Sequence, residues 1–184
     1  KTQEPTKKYM IAVIVIGFLC LAAAVSRLPL EKIDFRFLFL AVFTVGLGSR
    51  ITVQIPKFKS HVSVSDTFIF LGLIMFGGET AVILAAVDAF CSAWRFCNKK
   101  ITVFFNAGAM ALSTTMVVAG LYLFGVDTEA ELHGHTVNDF IITVSIIALV
   151  QFFANTGLSS IYGALKSGNP WWETWKTHYL WTFI

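Results

Sequence analysis

The stretch Ser63–Phe96, "SVSDTFIFLGLIMFGGETAVILAAVDAFCSAWRF", decides the fold. It is almost wholly apolar, yet it contains Asp66, Asp88 and the pair Gly77-Gly78. One helix from Thr67 to Trp94 would be about 42 Å long, well beyond a hydrocarbon core of about 30 Å. Two adjacent glycines read as a tight turn with positive φ and close backbone approach. A break there leaves a first helix of about 18 Å, too short to cross alone, and a second that crosses only by carrying Asp88 into the apolar layer.

The rest of the chain supports a membrane setting. Of 184 residues, 56% are hydrophobic before the 13 glycines are added, above the roughly 45–50% (glycine included) of soluble domains. Charge-free runs recur at Tyr9–Ser26, Phe37–Ser49, Thr67–Gly78, Ile101–Val126 and Phe140–Leu165. The expected fold is an all-α integral-membrane helical bundle of six helical segments plus a seventh beginning near His178. Residues 1–184 form one polytopic domain expected to continue past Ile184. The Lys7-Lys8 flank and Ala22-Ala23-Ala24 raise a cleaved signal peptide, but an apolar core of about 16 residues followed by further spans favours a retained helix. Cys20, Cys91 and Cys97 lie in or at the ends of spans without metal-ligand spacing, and no disulfide is implied.

Basic residues orient the chain. With a cytoplasmic N-terminus, one side holds Lys1, Lys7, Lys8, Arg50, Lys57, Lys59, Arg95, Lys99, Lys100, Lys166 and Lys176, eleven of the fourteen. The other keeps Arg27, Lys32 and Arg36 and collects Glu31, Asp34, Glu79, Asp127, Glu129, Glu131 and Asp139.

Between the second and third spans, Ile51, Val53 and Ile55 alternate with polar residues, as do Val62 and Val64, which reads as a short extended hairpin around Pro56-Lys57. Ser65 then caps a short helix, with Asp66 in its first turn, where the dipole favours negative charge. Asp88 is the costlier acid, since an aspartate in mid-membrane normally faces the bundle interior. A row of small residues, Gly77, Ala81, Ala85, Ala89 and Ala93, allows close packing beside it. Two later helices carry polar stripes: Thr102, Asn106, Ala109 and Ser113 on one, Ala148, Gln151, Asn155, Ser159 and Tyr162 on the other. Unpaired amides are costly in lipid, so both stripes are expected to point inward, toward Asp88. The candidate ligand-binding or relay residues are therefore Asp66, Asp88, Asn106, Gln151 and Asn155, with Gly77 and Gly78 as the structural turn. A hydrogen-bonded packing network explains the same residues.

Two further features point to ordinary structure. His133 and His135 lie among Glu129, Glu131 and Asp139, but their spacing fits no closed metal site, and a solvated acidic loop is expected. Trp171, Trp172, Trp175, Tyr179 and Trp181 read as anchors at the inner interface. No nucleophile elbow, zinc-protease motif or phosphate loop occurs, so neither catalysis within this chain nor a metal or other cofactor is expected.

The segments "VSVSDTFIFLGLIMFGGETAVILAAVDAF", "FFNAG" after a basic turn, and "WKTHYLW" resemble the membrane-embedded N-terminal sensor regions of bacterial signalling proteins, which precede HD-GYP-type phosphohydrolase or GGDEF-type cyclase domains. The resemblance spans roughly Ile51 to the C-terminus and rests on small, acidic and amide positions. It implies a sensory or regulatory domain in the bacterial inner membrane, N-terminus cytoplasmic, that relays a cue to a cytoplasmic output domain in the same polypeptide and acts in cyclic di-GMP signalling. Expected partners are the lipid bilayer, a small-molecule or lipid-like ligand and a second copy in a homodimer, with no nucleic acid. A fainter similarity to substrate-binding subunits of energy-coupling-factor vitamin transporters implies the alternative of a small-molecule uptake subunit. A structural subunit of a membrane complex is the third reading.

Overall fold

The computed structural model describes residues 3–29, 31, 33–48, 52–54, 61–63, 65–125 and 137–179. Among them the chain forms seven helices: α1 (Gln3–Ser26), α2 (Phe35–Phe43), α3 (Ser65–Phe76), α4 (Gly78–Phe96), α5 (Lys100–Leu123), α6 (Val137–Ser167) and α7 (Trp171–Tyr179). Thr52–Gln54 and His61–Ser63 pair antiparallel, with Val53 opposite Val62. Pro56-Lys57 lies outside the described residues. The fold is all-α apart from this short ladder.

α1 is apolar around most of its circumference, so hydropathy does not mark its buried side. Thr6, Met10, Val13, Gly17 and Ala24 are buried at steps of three, four and seven, one helical seam. That seam lies on α5, where a Cβ added at Gly17 would overlap the carbonyl oxygen of Gly108. The two backbones cross in direct contact, the close approach that paired small residues permit. Tyr9 ties α1 to α6 by donating its hydroxyl to the Leu158 carbonyl at 2.9 Å.

Asp34 starts α2 as its N-cap, accepting the Phe37 N–H at 3.0 Å. α2 passes into a π-helical turn, Thr44–Gly48, and fully buried Thr44 donates its hydroxyl to the Leu40 carbonyl at 2.7 Å. α2 and α3 run antiparallel, as two ring contacts show: Phe37 meets Phe76 at 5.4 Å and Phe43 meets Phe68 at 5.8 Å. Leu40, Ile69, Phe76, Leu84 and Ala85 close the core between these helices and α4.

The break falls at the glycine pair. Gly77 has φ +94° and serves as the N-cap of α4, a conformation that disfavours any residue with a Cβ. Gly78 is needed for a separate reason, since a Cβ there would collide with Val118 of α5.

The six expected helical segments are present as α1–α6. Among the described residues three of them are long and apolar enough to cross a membrane unaided, over Glu4–Ser26, Lys100–Leu123 and Ile141–Ser167. α2 and α3 have 9 and 12 residues, and the 19-residue α4 carries Glu79, Asp88 and Arg95. The seventh helix begins at Trp171, not near His178, and folds back along α6. Trp175 is buried, donates its indole N–H to Thr156 Oγ1 at 3.1 Å, and stacks on Phe153 and Trp172 at 5.8 and 5.3 Å. Trp175 is thus a packing residue of the bundle, whereas Trp171 and Trp172 remain about half exposed. Trp181 lies outside the described residues.

Candidate functional site

The turn at Gly77 places the two acids. Asp66 and Asp88 each stand eleven positions from it, so antiparallel packing of α3 and α4 brings them to one level, about 16 Å from the turn. The two carboxyl groups interact electrostatically there. Asp66 occupies the first turn of α3, where the unpaired N–H groups favour a carboxylate. Asp88, on the middle of α4, is 4% exposed.

Ser65, 1% exposed, hydrogen-bonds the Asp88 carboxyl from the first residue of α3. Asp88 Oδ1 has no hydrogen-bond partner among the described residues, nor has Ser92 Oγ one turn further along α4. A buried carboxylate oxygen without a partner is costly, and two carboxylates inside an apolar bundle repel each other when both are charged. A proton or small cation reaching this cluster would therefore change the packing energy of α3 against α4. The described members of the cluster are two carboxyl groups and two serine hydroxyls, with no histidine among them. Among the described residues no group of three or more His, Cys, Asp or Glu could hold a metal ion. His133 and His135 fall outside those residues.

The amides expected around Asp88 make their hydrogen bonds elsewhere. Asn106 Nδ2 donates to the Thr102 carbonyl of its own helix at 2.9 Å and lies 3.9 Å from Cys97 Sγ. Gln151 Nε2 donates to Ser113 Oγ at 3.2 Å and Thr114 Oγ1 at 3.3 Å, joining α6 to α5. Its Oε1 has no partner among the described residues. Asn155 is half-buried and makes no side-chain hydrogen bond among the described residues. The two stripes do meet, at Gln151 and Ser113, but Ser113 lies about 10 Å along α5 from Asn106. The single polar centre expected from the stripes is thus divided between the acid pair, the Gln151 junction and the Asn106 turn.

Sequence reasoning passed over Ser65 as a partner of Asp88, having taken it as a cap, although it adjoins Asp66; Ser92, four positions after Asp88, is legible in the sequence as a polar neighbour on the same face of α4. A hydroxyl-lined cleft of about 320 Å³ between α6 and α7 also went unforeseen; Ser159, Ser160, Thr174, Thr177, Glu173 and His178 border it. Tyr179 shares a hydrogen bond with Ser159 there, and burial pushes its phenol above the ordinary range. Compared with protein-family models, with curated proteins and with solved structures, the chain matches none of them.

Proposed function

We propose that the chain is the multi-pass membrane domain of a bacterial inner-membrane signalling protein, and that the Asp66–Asp88 pair is its sensing and relay centre. Membrane residence is supported by the three long apolar helices and by exposed apolar side chains along α1, α2 and α6, among them Val15, Leu19, Phe35, Phe39, Ile141 and Phe153. A water-soluble monomer rarely exposes contiguous apolar surface on this scale.

The observation that carries the relay reading is the unpartnered Asp88 oxygen beside Asp66 at the start of α3. Ser65 and Asp66 come two and three positions after the second strand of the short ladder, His61–Ser63, which the distribution of basic residues assigns to the cytoplasmic face. A cue that alters the charge or coordination of the pair shifts the start of α3, and the ladder passes that shift to an output domain. The cyclic-dinucleotide chemistry implied by the sequence resemblance would belong to that output domain.

Asp66→Asn in the full-length protein should leave expression and thermal stability near wild type and change output activity several-fold. Unchanged output in both Asp66→Asn and Asp88→Asn would leave the pair a packing feature only. Orientation has its own check, a single cysteine at Thr128 in a background lacking Cys20, Cys91 and Cys97. Thr128 lies outside the described residues but within the acidic loop assigned to the outer face, so an impermeant maleimide should label it from outside. Labelling from the cytoplasm alone would invert the topology.

A further inference from the structure

A lateral groove of about 390 Å³ opens between α1, α4 and α5, on the side of the bundle where α1 ends and α4 begins. Its volume is that of a ligand pocket and its walls are apolar, formed by Leu19, Ala23 and Ala24 of α1, Val82 of α4, and Val118 and Ala119 of α5. From Leu19 to Arg27 the α1 wall is about 12 Å long. Arg27, exposed just past the end of α1, and Glu79, in the first turn of α4, also line it. The Glu79 carboxylate lies over the hairpin turn, 3.8 Å from where a Cβ on Gly77 would stand. Neither Arg27 nor Glu79 closes an ion pair with another described residue. An anion acceptor and a cation acceptor thus share one apolar slot.

We infer that this groove holds one acyl chain of a zwitterionic phospholipid with a primary ammonium headgroup, its phosphate on Arg27 and its ammonium on Glu79. The inference rests on the membrane reading above. An acyl chain is as well solvated by other lipid tails as by Val82 and Val118, so the walls fit it without selecting it, and the two charged groups decide which lipid stays. The Arg27 guanidinium presents N–H donors in a fork that matches two phosphate oxygens. Glu79 only accepts hydrogen bonds when ionised, so an ethanolamine ammonium satisfies it and a quaternary choline does not. A lipid of net negative charge would leave Glu79 repelled, and a free fatty acid would leave it unpaired.

The test is phospholipid retention by the full-length protein in mild detergent, read by native mass spectrometry, with exchange against defined lipids. Ethanolamine phospholipid should co-purify. Arg27→Gln should weaken retention about tenfold, the loss of one charge-assisted contact. Glu79→Gln should abolish the preference for ethanolamine over choline lipid. Ala119→Leu, which fills the slot from an exposed position, should expel the lipid while Arg27 and Glu79 remain. Absence of phospholipid, retention of an anionic lipid or a non-lipid molecule instead, or retention unaltered in Arg27→Gln would each overturn the site. A carbonate wash separates the two levels: release of the protein from membranes would overturn the membrane reading with it, whereas a membrane-retained, lipid-free protein overturns the lipid site alone.

Discussion

Valine in place of Gly17 should force α1 away from α5 and lower stability by about 3 kcal/mol or more, the upper range for overpacking because the obstructing atoms are backbone and have no other rotamer. The added Cβ would overlap the Gly108 carbonyl, so relief requires moving a whole helix. Gly120 on the same α5 provides the control: nothing lies within 4 Å of a Cβ built there, and Gly120→Ala should be neutral or stabilise by up to about 1 kcal/mol through helix propensity. Thermal unfolding in detergent, followed by loss of the monodisperse peak, distinguishes them. A Gly17→Val protein that melts with wild type would mean that α1 does not cross α5 at this point.

The second large effect is expected at Asp88, where two substitutions should move stability in opposite directions. Asp88→Leu removes the hydrogen bond that the carboxyl shares with Ser65, at about 1–3 kcal/mol. It also adds a bulkier side chain beside fully buried Ala85, at about 1–3 kcal/mol more. Against these stands the relief of repulsion from Asp66, which Asp88→Asn obtains as well while keeping both the shape and an acceptor for Ser65. The leucine variant should therefore be destabilised by about 2–5 kcal/mol and the asparagine variant should match or exceed wild type. Equal melting temperatures for leucine and wild type would show that Asp88 sits in water or among headgroups and that the buried pair does not exist.

The parts of the fold that could be read from residues alone were those with a local cause. Gly77-Gly78 broke an otherwise continuous apolar run; the equal spacing of Asp66 and Asp88 about that break was also there to be read, but Asp88 was set in mid-membrane and Asp66 nearer the cytoplasmic face, and only the antiparallel packing of α3 on α4 shows them level. The Gln151 stripe was visible as a period of three and four along α6, but its partner was not, because neither the rotation of α6 nor its depth against α5 is written in α6. The start of α7 was missed although Pro170 precedes Trp171 and Glu173 follows in the first turn, both ordinary helix-start signals. The tryptophans drew attention to the membrane surface, whereas Trp175 spends its N–H inside the bundle on Thr156. The Gly17–Gly108 crossing had no signature at all, since a lone glycine in a long apolar helix looks the same whether it faces lipid or another backbone.

That crossing also sets a schedule. Gly17 and Gly108 are 91 residues apart in the chain. At about 5–20 residues per second, the first helix waits roughly 5–18 s on the ribosome before its docking surface on the fifth has been made. On the membrane reading proposed above, α1 would spend that interval alone among lipids with the seam that later meets α5 uncovered. An apolar surface on every side suits that wait, and a strongly polar seam would not. Nascent chains arrested before residue 100 should therefore contain α1 as an independent membrane helix, and its capture by the bundle is a late event in biogenesis that mutations at Gly108 would delay without affecting insertion.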